Sequence, residues 1–156
     1  MVCRLERWGR VGGFTRTFET GDIFGSEIDS SASVYRDVTG ARNSWDSAAK
    51  FVRENARDVF EETGLNVLEA SELPGSSLGD DTLRFRIRVS TEILGTPVTV
   101  ETVIVSFRIA NVVGAVTWVS FNESILSRDL DDIAQTQIRL INKAIERSTK
   151  PAETGA

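Results

Sequence analysis

The sequence predicts an α+β domain, in which an antiparallel sheet of about six strands carries two long amphipathic helices in the order β-β-α-β-β-β-β-α. Three observations predict this class. Segments rich in β-branched and aromatic residues recur, two stretches repeat apolar residues at helical spacing, and the last strand segments are joined by links of hairpin length. A chain of 156 residues matches about one domain and can bury a core without disulfides or metal.

The first half of the chain is predicted to form two strands and a helix. Residues 7–20 and 31–38 have strand composition, and residues 21–30 between them have loop composition. The helix is predicted to begin after Ser44, a residue type suited to the N-cap, and to end at Gly64. Its apolar face is formed by residues at helical spacing, namely Trp45, Ala48, Ala49, Val52, Ala56, Val59 and Phe60.

Four further strands are predicted in the second half of the chain. They cover residues 65–70, 82–93, 97–109 and 115–121, with a turn-rich connection at 73–80. Because short links join the last three, these strands are predicted to form an antiparallel meander.

The second helix is predicted to follow the meander and to close the domain. Ser127 is suited to cap it, and acidic residues precede basic ones along it, which is the order that the helix dipole favours. Its apolar stripe comprises Leu126, Leu130, Ile133, Ala134, Gln137, Ile138, Ile141, Ala144 and Ile145. We expect residues 1–148 to form a single domain and residues 149–156 a disordered tail.

The fifth strand has apolar side chains on both faces, because Val103, Ile104 and Val105 follow one another. An antiparallel strand with one wet face would alternate instead, so the middle of the sheet is predicted to be covered on both sides. Two arrangements satisfy this: one helix on each face, or both helices on one face with a partner or ligand on the other.

The composition excludes several reaction classes. The chain has no His and one Cys. A Ser-His-Asp triad, a Cys-His pair and a His-ligated metal site are therefore excluded, as are an intrachain disulfide and a Cys-based zinc or iron–sulfur site. No metal site or cofactor is predicted, because the glycines form no dinucleotide fingerprint and no loop has a calcium-binding pattern.

Charge and hydropathy bear on partners and location. The net charge of −5 argues against a nucleic-acid binder. No run of about 18 apolar residues would span a membrane. The first residues lack the apolar core of a secretory signal, and Cys3 is interpreted as a free thiol.

One row of charged residues is the candidate binding site. Arg84, Arg86 and Arg88 alternate with the apolar residues of the fourth strand, so they share one face at intervals of about 7 Å. The following hairpin places Glu101 or Thr102 beside Arg88, depending on its register. The row has two interpretations: a site for phosphate or carboxylate groups, or a solvated strand face whose charges discourage edge pairing.

Three stretches carry a family resemblance. They are Ser-Ala-Ser-Val-Tyr-Arg-Asp at 31–37, Leu-Gly-Asp and the strand after it at 78–86, and a strand ending in Arg-x-x-Asn-Val-Val within 105–113, followed by the last amphipathic helix. This pattern, spread over most of residues 9–147, resembles exported bacterial lipoproteins, the extracellular sensor domains of actinobacterial receptor kinases and the PsbP-like fold of photosystems. The chain departs from them in lacking the paired cysteines of the sensor domains and a signal peptide or lipobox.

The resemblance implies an antiparallel sheet with flanking helices and a binding or scaffolding role. It also implies an extracytoplasmic location, with the leader removed or missing, rather than a cytoplasmic one. We therefore expect a non-enzymatic module of sensor or lipoprotein type that binds a small anionic or amphipathic ligand or a protein. The alternative is a homo-oligomeric assembly domain, such as a homodimer that pairs its sheet faces. A carboxylate-based enzyme is the third hypothesis, since Asp and Glu can transfer protons without His.

Overall fold

The computed structural model describes residues 7–19, 25–123, 125 and 127–149. The elements are strands β1 (Arg10–Glu19), β2 (Glu27–Tyr35), β3 (Asn66–Glu72), β4 (Asp81–Ile93), β5 (Thr96–Ile109) and β6 (Val112–Phe121), and helices α1 (Val38–Glu62) and α2 (Ser127–Thr149). Their order confirms the predicted α+β fold class and the sequence of elements. Cys3 and residues 150–156, for which a free thiol and a disordered tail were predicted, lie outside the described residues.

All the strands belong to one antiparallel sheet with the order β1-β2-β6-β5-β4-β3. The predicted meander is confirmed, since β4 pairs with β5 and β5 with β6. The hairpin of β1 and β2 is attached along β6, so that β1 and β3 form the two edges of the sheet.

The two helices pack on opposite faces of the sheet, which settles the alternatives left open for the fifth strand. Successive side chains of β5 point to opposite faces. Val103, Val105 and Phe107 pack in a core cluster with α2, while Val100 packs in a second cluster with α1. We call these sides the α2 face and the α1 face. Because a helix covers β5 on each side, its apolar residues require neither a ligand nor a paired sheet.

Helix α1 begins six residues before the predicted N-cap, so the prediction for Ser44 is wrong. Asp37 caps the helix from an extended backbone, and its carboxylate accepts a 2.7 Å hydrogen bond from the N–H of Gly40. Ser44 is instead a buried residue of the helix, and its hydroxyl lies 2.6 Å from the hydroxyl of Tyr35. Ser44 therefore joins α1 to the end of β2.

Other element boundaries also differ from those predicted from the sequence. Residues 27–30 were predicted to be loop, but they belong to β2 because they pair with β1 on one side and β6 on the other. Helix α2 includes Thr149, which was assigned to the tail, and Ala144 of the predicted apolar stripe is exposed. No helix in the described part of the chain is long and apolar enough to cross a membrane.

The ring of Phe107 packs against Gly114 beneath α2. The two residues are directly paired, and Phe107 is completely buried. A Cβ added to Gly114 would lie 2.6 Å from Cε2 of the Phe107 ring, well inside contact distance. Only glycine therefore fits opposite this ring without moving it.

We expect Gly114→Ala to lower the free energy of unfolding by about 1–3 kcal/mol, because it overpacks the core. Urea denaturation measures the change, and Gly12→Ala is the matched control, since no atom lies within 4 Å of a Cβ built there. Combining Gly114→Ala with Phe107→Leu should recover part of the loss. Strictly additive losses in the double variant would contradict the steric explanation.

Candidate functional site

The structure brings the four predicted site residues together on the α2 face. Arg84, Arg86 and Arg88 lie on β4, and the hairpin register pairs Arg88 directly with Glu101. This register follows from the tight link, in which Ile93 and Thr96 are the last paired residues. Of the two neighbours allowed for Arg88 by the sequence, Glu101 is therefore the one observed.

Arg84 is fully engaged by the protein. Its side chain is 4% exposed, and its Nε and Nη2 donate hydrogen bonds of 2.8 and 3.1 Å to the two carboxylate oxygens of Asp131 on α2. Nη2 also donates to the carbonyl of Ser76 at 2.6 Å. Gly75 allows the loop to close over the guanidinium, because a Cβ there would lie 2.6 Å from Arg84 Nε. Arg84 thus fastens α2 and the loop to the sheet.

Glu101 is the ion-pair partner of the other two arginines of the row, Arg86 and Arg88. Its side chain is 3% exposed, and its Oε1 accepts a 2.9 Å hydrogen bond from the N–H of Ile125. The Nε atoms of Arg86 and Arg88 each lie 3.4 Å from one of its oxygens. Arg86 Nη2 also donates to the carbonyl of Ile125 at 3.2 Å. These contacts hold the segment before α2 against the sheet.

The arrangement supplies the arginine row with internal carboxylates. Besides Glu101 on β5, Glu69 on β3 lies opposite Arg88 on the other side of β4, where its Oε1 accepts a 2.6 Å hydrogen bond from the Ser71 hydroxyl. Arg86 and Arg88 are nevertheless 25% and 40% exposed, so they keep N–H groups at the surface. Binding of an external anion by this row stays a prediction.

A groove lies on the α2 face between β1 and α2, away from the arginines. Helix α2 packs over β5 and β6, and β1 packs against β2. The groove has a volume of about 650 Å³. It is lined by Phe14, Thr15, Arg16, Phe18, Ser30, Asp132, Ile133, Thr136, Gln137 and Leu140.

The groove is apolar, with a few polar groups. Phe14, Phe18 and Leu140 are 52%, 58% and 63% exposed, although each is a large hydrophobic side chain. Gln137 is 6% exposed, and its Nε2 donates a 2.7 Å hydrogen bond to the carbonyl of Ser31. Its Oε1 is buried and has no hydrogen-bond partner among the described residues. An unpaired buried acceptor costs about 1–3 kcal/mol.

The sequence did not indicate this groove. Phe14 and Phe18 were assigned to a strand, but nothing showed that this strand is an uncovered edge. Leu140 was the available signal, because it lies outside the apolar stripe of the second helix. Gln137 was placed in that stripe, but its unpaired oxygen depends on the distant strand β2.

In the described ranges, no group of three or more His, Cys, Asp or Glu residues is placed to hold a metal ion. The paired carboxylates of Asp80 and Asp81 have another role. Asp81 accepts a 2.6 Å hydrogen bond from Nε of the buried Arg108, and Asp80 accepts one of 3.1 Å from its Nη1. From the start of β4, they neutralise this buried arginine near the end of β5.

Comparisons with known proteins identify no family. No protein-family model matches the chain, and no curated protein matches it either. Among solved structures, the chain is similar to a protein of unknown function from Pseudomonas aeruginosa, with a TM-score of 0.35 and 11% sequence identity over 92% of this chain and 87% of that one. A likeness of this size transfers neither a fold nor a function.

Proposed function

We propose that this protein is a non-enzymatic binding module whose groove between β1 and α2 takes a small amphipathic ligand. The observation that carries the proposal is the exposed apolar lining of the groove. Its volume of about 650 Å³ lies within the range of about 300–1,000 Å³ typical of small-molecule sites. Large hydrophobic side chains that line one concavity are a common mark of a binding surface.

The polar groups of the groove suggest which end of the ligand is recognised. Arg16 and Asp132 carry opposite charges, so the lining has no strong preference for one sign. Gln137 Oε1 offers an unused acceptor. The preferred ligand then combines an apolar body with an N–H or O–H group, and its affinity comes mainly from the apolar contacts.

The family resemblance supports the same class of function. Exported lipoproteins and receptor-kinase sensor domains are similar to this chain through structural motifs and share no catalytic motif with it. We extend the proposal accordingly: the domain has a PsbP-like, sensor-type role outside the cytoplasm. The carboxylates beside the arginine row, Glu101 and Asp131, are engaged by arginines, which favours binding over catalysis there.

A fluorescent amphipathic probe, dansylundecanoic acid, tests the proposal. We expect saturable binding by the wild-type chain, and we expect Leu140→Glu to weaken it at least about tenfold, because a carboxylate would be placed in the apolar lining. Leu94→Glu is the matched control, since Leu94 is fully exposed in the β4–β5 hairpin. Equal binding by the two variants, or no binding by the wild type, would contradict the proposal.

A further inference from the structure

We infer that the free edge of β1 pairs with β1 of a second copy of this chain, in antiparallel fashion about a two-fold axis at Thr15. The two six-stranded sheets would then form one continuous sheet. This interaction uses the backbone edge of β1, together with side chains of β1 that also line the groove.

The first observation is that β1 is an exposed edge strand, although it carries Arg10, Arg16 and Glu19 and has a break in register between Arg10 and Gly12. All ten of its residues are exposed, and its pairing partner in the described structure is β2 alone. From Gly12 to Glu19 its register is regular, and the strand contains neither proline nor lysine. Natural sheets usually block such an edge with a charge, a bulge or a covering element, because its unpaired N–H and C=O groups attract another strand.

The opposite edge shows those protections. Strand β3 has a break in register at Leu68 and carries Glu69 and Glu72. Helix α1 packs against it, and Arg53 of that helix binds Glu72 through two hydrogen bonds of 2.8 and 3.0 Å. Both edges have charged residues and a break in register, but β3 is also packed against a helix and its Glu72 is held in an ion pair.

The sequence of β1 is complementary to itself in one register. A two-fold axis perpendicular to the sheet keeps each face on its own side, so residues of like parity must pair. An axis at Gly13 would bring the irregularity between Arg10 and Gly12 into the pairing, and an axis at Arg16 would place that residue opposite its own copy. Like charges in directly opposed positions destabilise a pair of strands.

An axis at Thr15 avoids these problems and gives both aromatic rings on the α2 face, Phe14 and Phe18, a favourable neighbour in the second copy. Phe14 lies opposite Arg16 of the second copy, which allows a cation–π contact. Phe18 lies opposite Gly12 of the second copy, where the ring can cover the bare backbone of the glycine. An axis at Phe14 would instead leave Phe18 opposite Arg10, beyond the irregularity between Arg10 and Gly12.

Disulfide trapping in a Cys3→Ser background tests the register. A residue on the axis meets its own copy at a Cβ separation of about 4.5–5.5 Å. The copies of residue 17 would be offset along the strand by about 14 Å. We expect Thr15→Cys to form an intermolecular disulfide with oxidised glutathione at least tenfold faster than Thr17→Cys. Equal rates, or the fastest trapping by Phe14→Cys, would overturn this register.

Sedimentation velocity tests the dimer without a crosslink. A single pair of edge strands is a small interface, so we expect a weak dimer that dissociates in the micromolar range. Thr15→Lys opposes two ammonium groups on the axis and should be monomeric, whereas Thr39→Lys, at an exposed position of α1, should dimerise like the wild type. A wild-type chain that stays monomeric up to millimolar concentration would overturn the inference. If Leu140→Glu loses probe binding but still dimerises, the dimer is shown to form independently of the proposed ligand site.

Discussion

Replacing Asp131 with alanine is expected to lower the free energy of unfolding by about 3–5 kcal/mol, because it leaves a buried guanidinium without its counter-charge. Arg84 is 4% exposed, and both carboxylate oxygens of Asp131 accept hydrogen bonds from it. The carbonyl of Ser76 is its remaining partner among the described contacts, and one carbonyl does not neutralise a charge. The loss should appear as a lower midpoint of urea denaturation.

Two further variants separate the charge from the position. Asp132→Ala removes a neighbouring, exposed carboxylate of α2 and should change stability by at most about 0.5 kcal/mol. Replacing the whole pair, with Arg84→Met and Asp131→Leu, should restore most of the stability, because no unpaired charge then remains buried. If Asp131→Ala and Asp132→Ala have equal effects, the ion pair does not contribute as described.

The pairing of β4 with β5 is the part of the site that the sequence could predict. Alternation along β4 places three arginines on one face, and a short link after Ile93 restricts the pairing to a few registers. These rules act over short distances along the chain, where backbone geometry dominates. Choosing between Glu101 and Thr102 as the neighbour of Arg88 requires the geometry of the turn, because a slip of one residue moves every side chain to the other face.

These short-range rules could not predict contacts between elements that are far apart along the chain. Asp131 was interpreted as a charge that favours a helix N-terminus, but its partner lies 47 residues earlier in the chain. Such a pair depends on which face α2 covers and how close its first turns lie to β4. The run of consecutive apolar residues in β5 indicates that both faces of the sheet are covered without showing which helix covers which face.

The groove could not be predicted because it depends on the strand order. Strand β2 is inserted next to β6, which places β1 at the edge of the sheet, where all ten of its residues are exposed. Hairpin lengths fix the neighbours within the meander, but the connection from α1 leaves the position of the first hairpin open. Phe14 and Phe18 are therefore ordinary strand residues in the sequence and become an exposed lining in the fold.

Glu101 is expected to be the second most sensitive position, with Glu101→Ala lowering the free energy of unfolding by about 2–4 kcal/mol. The change removes the acceptor of the Ile125 N–H and the counter-charge of two arginines. The loss should be smaller than that for Asp131, because Arg86 and Arg88 are partly exposed and can gain water. Glu92→Ala, an exposed carboxylate on the same hairpin, is the control and should be nearly neutral.

Phosphate then distinguishes the two interpretations of the arginine row. If Glu101 already occupies the place of an anion, phosphate should stabilise Glu101→Ala and leave the wild type unchanged, relative to chloride at matched ionic strength. The added anion would take the position between the two Nε atoms that the carboxylate now holds at 3.4 Å from each. Equal stabilisation of both proteins would mean that Arg86 and Arg88 bind an external anion beside Glu101. That result would support the binding site predicted from the sequence and would refute the view that Glu101 saturates it.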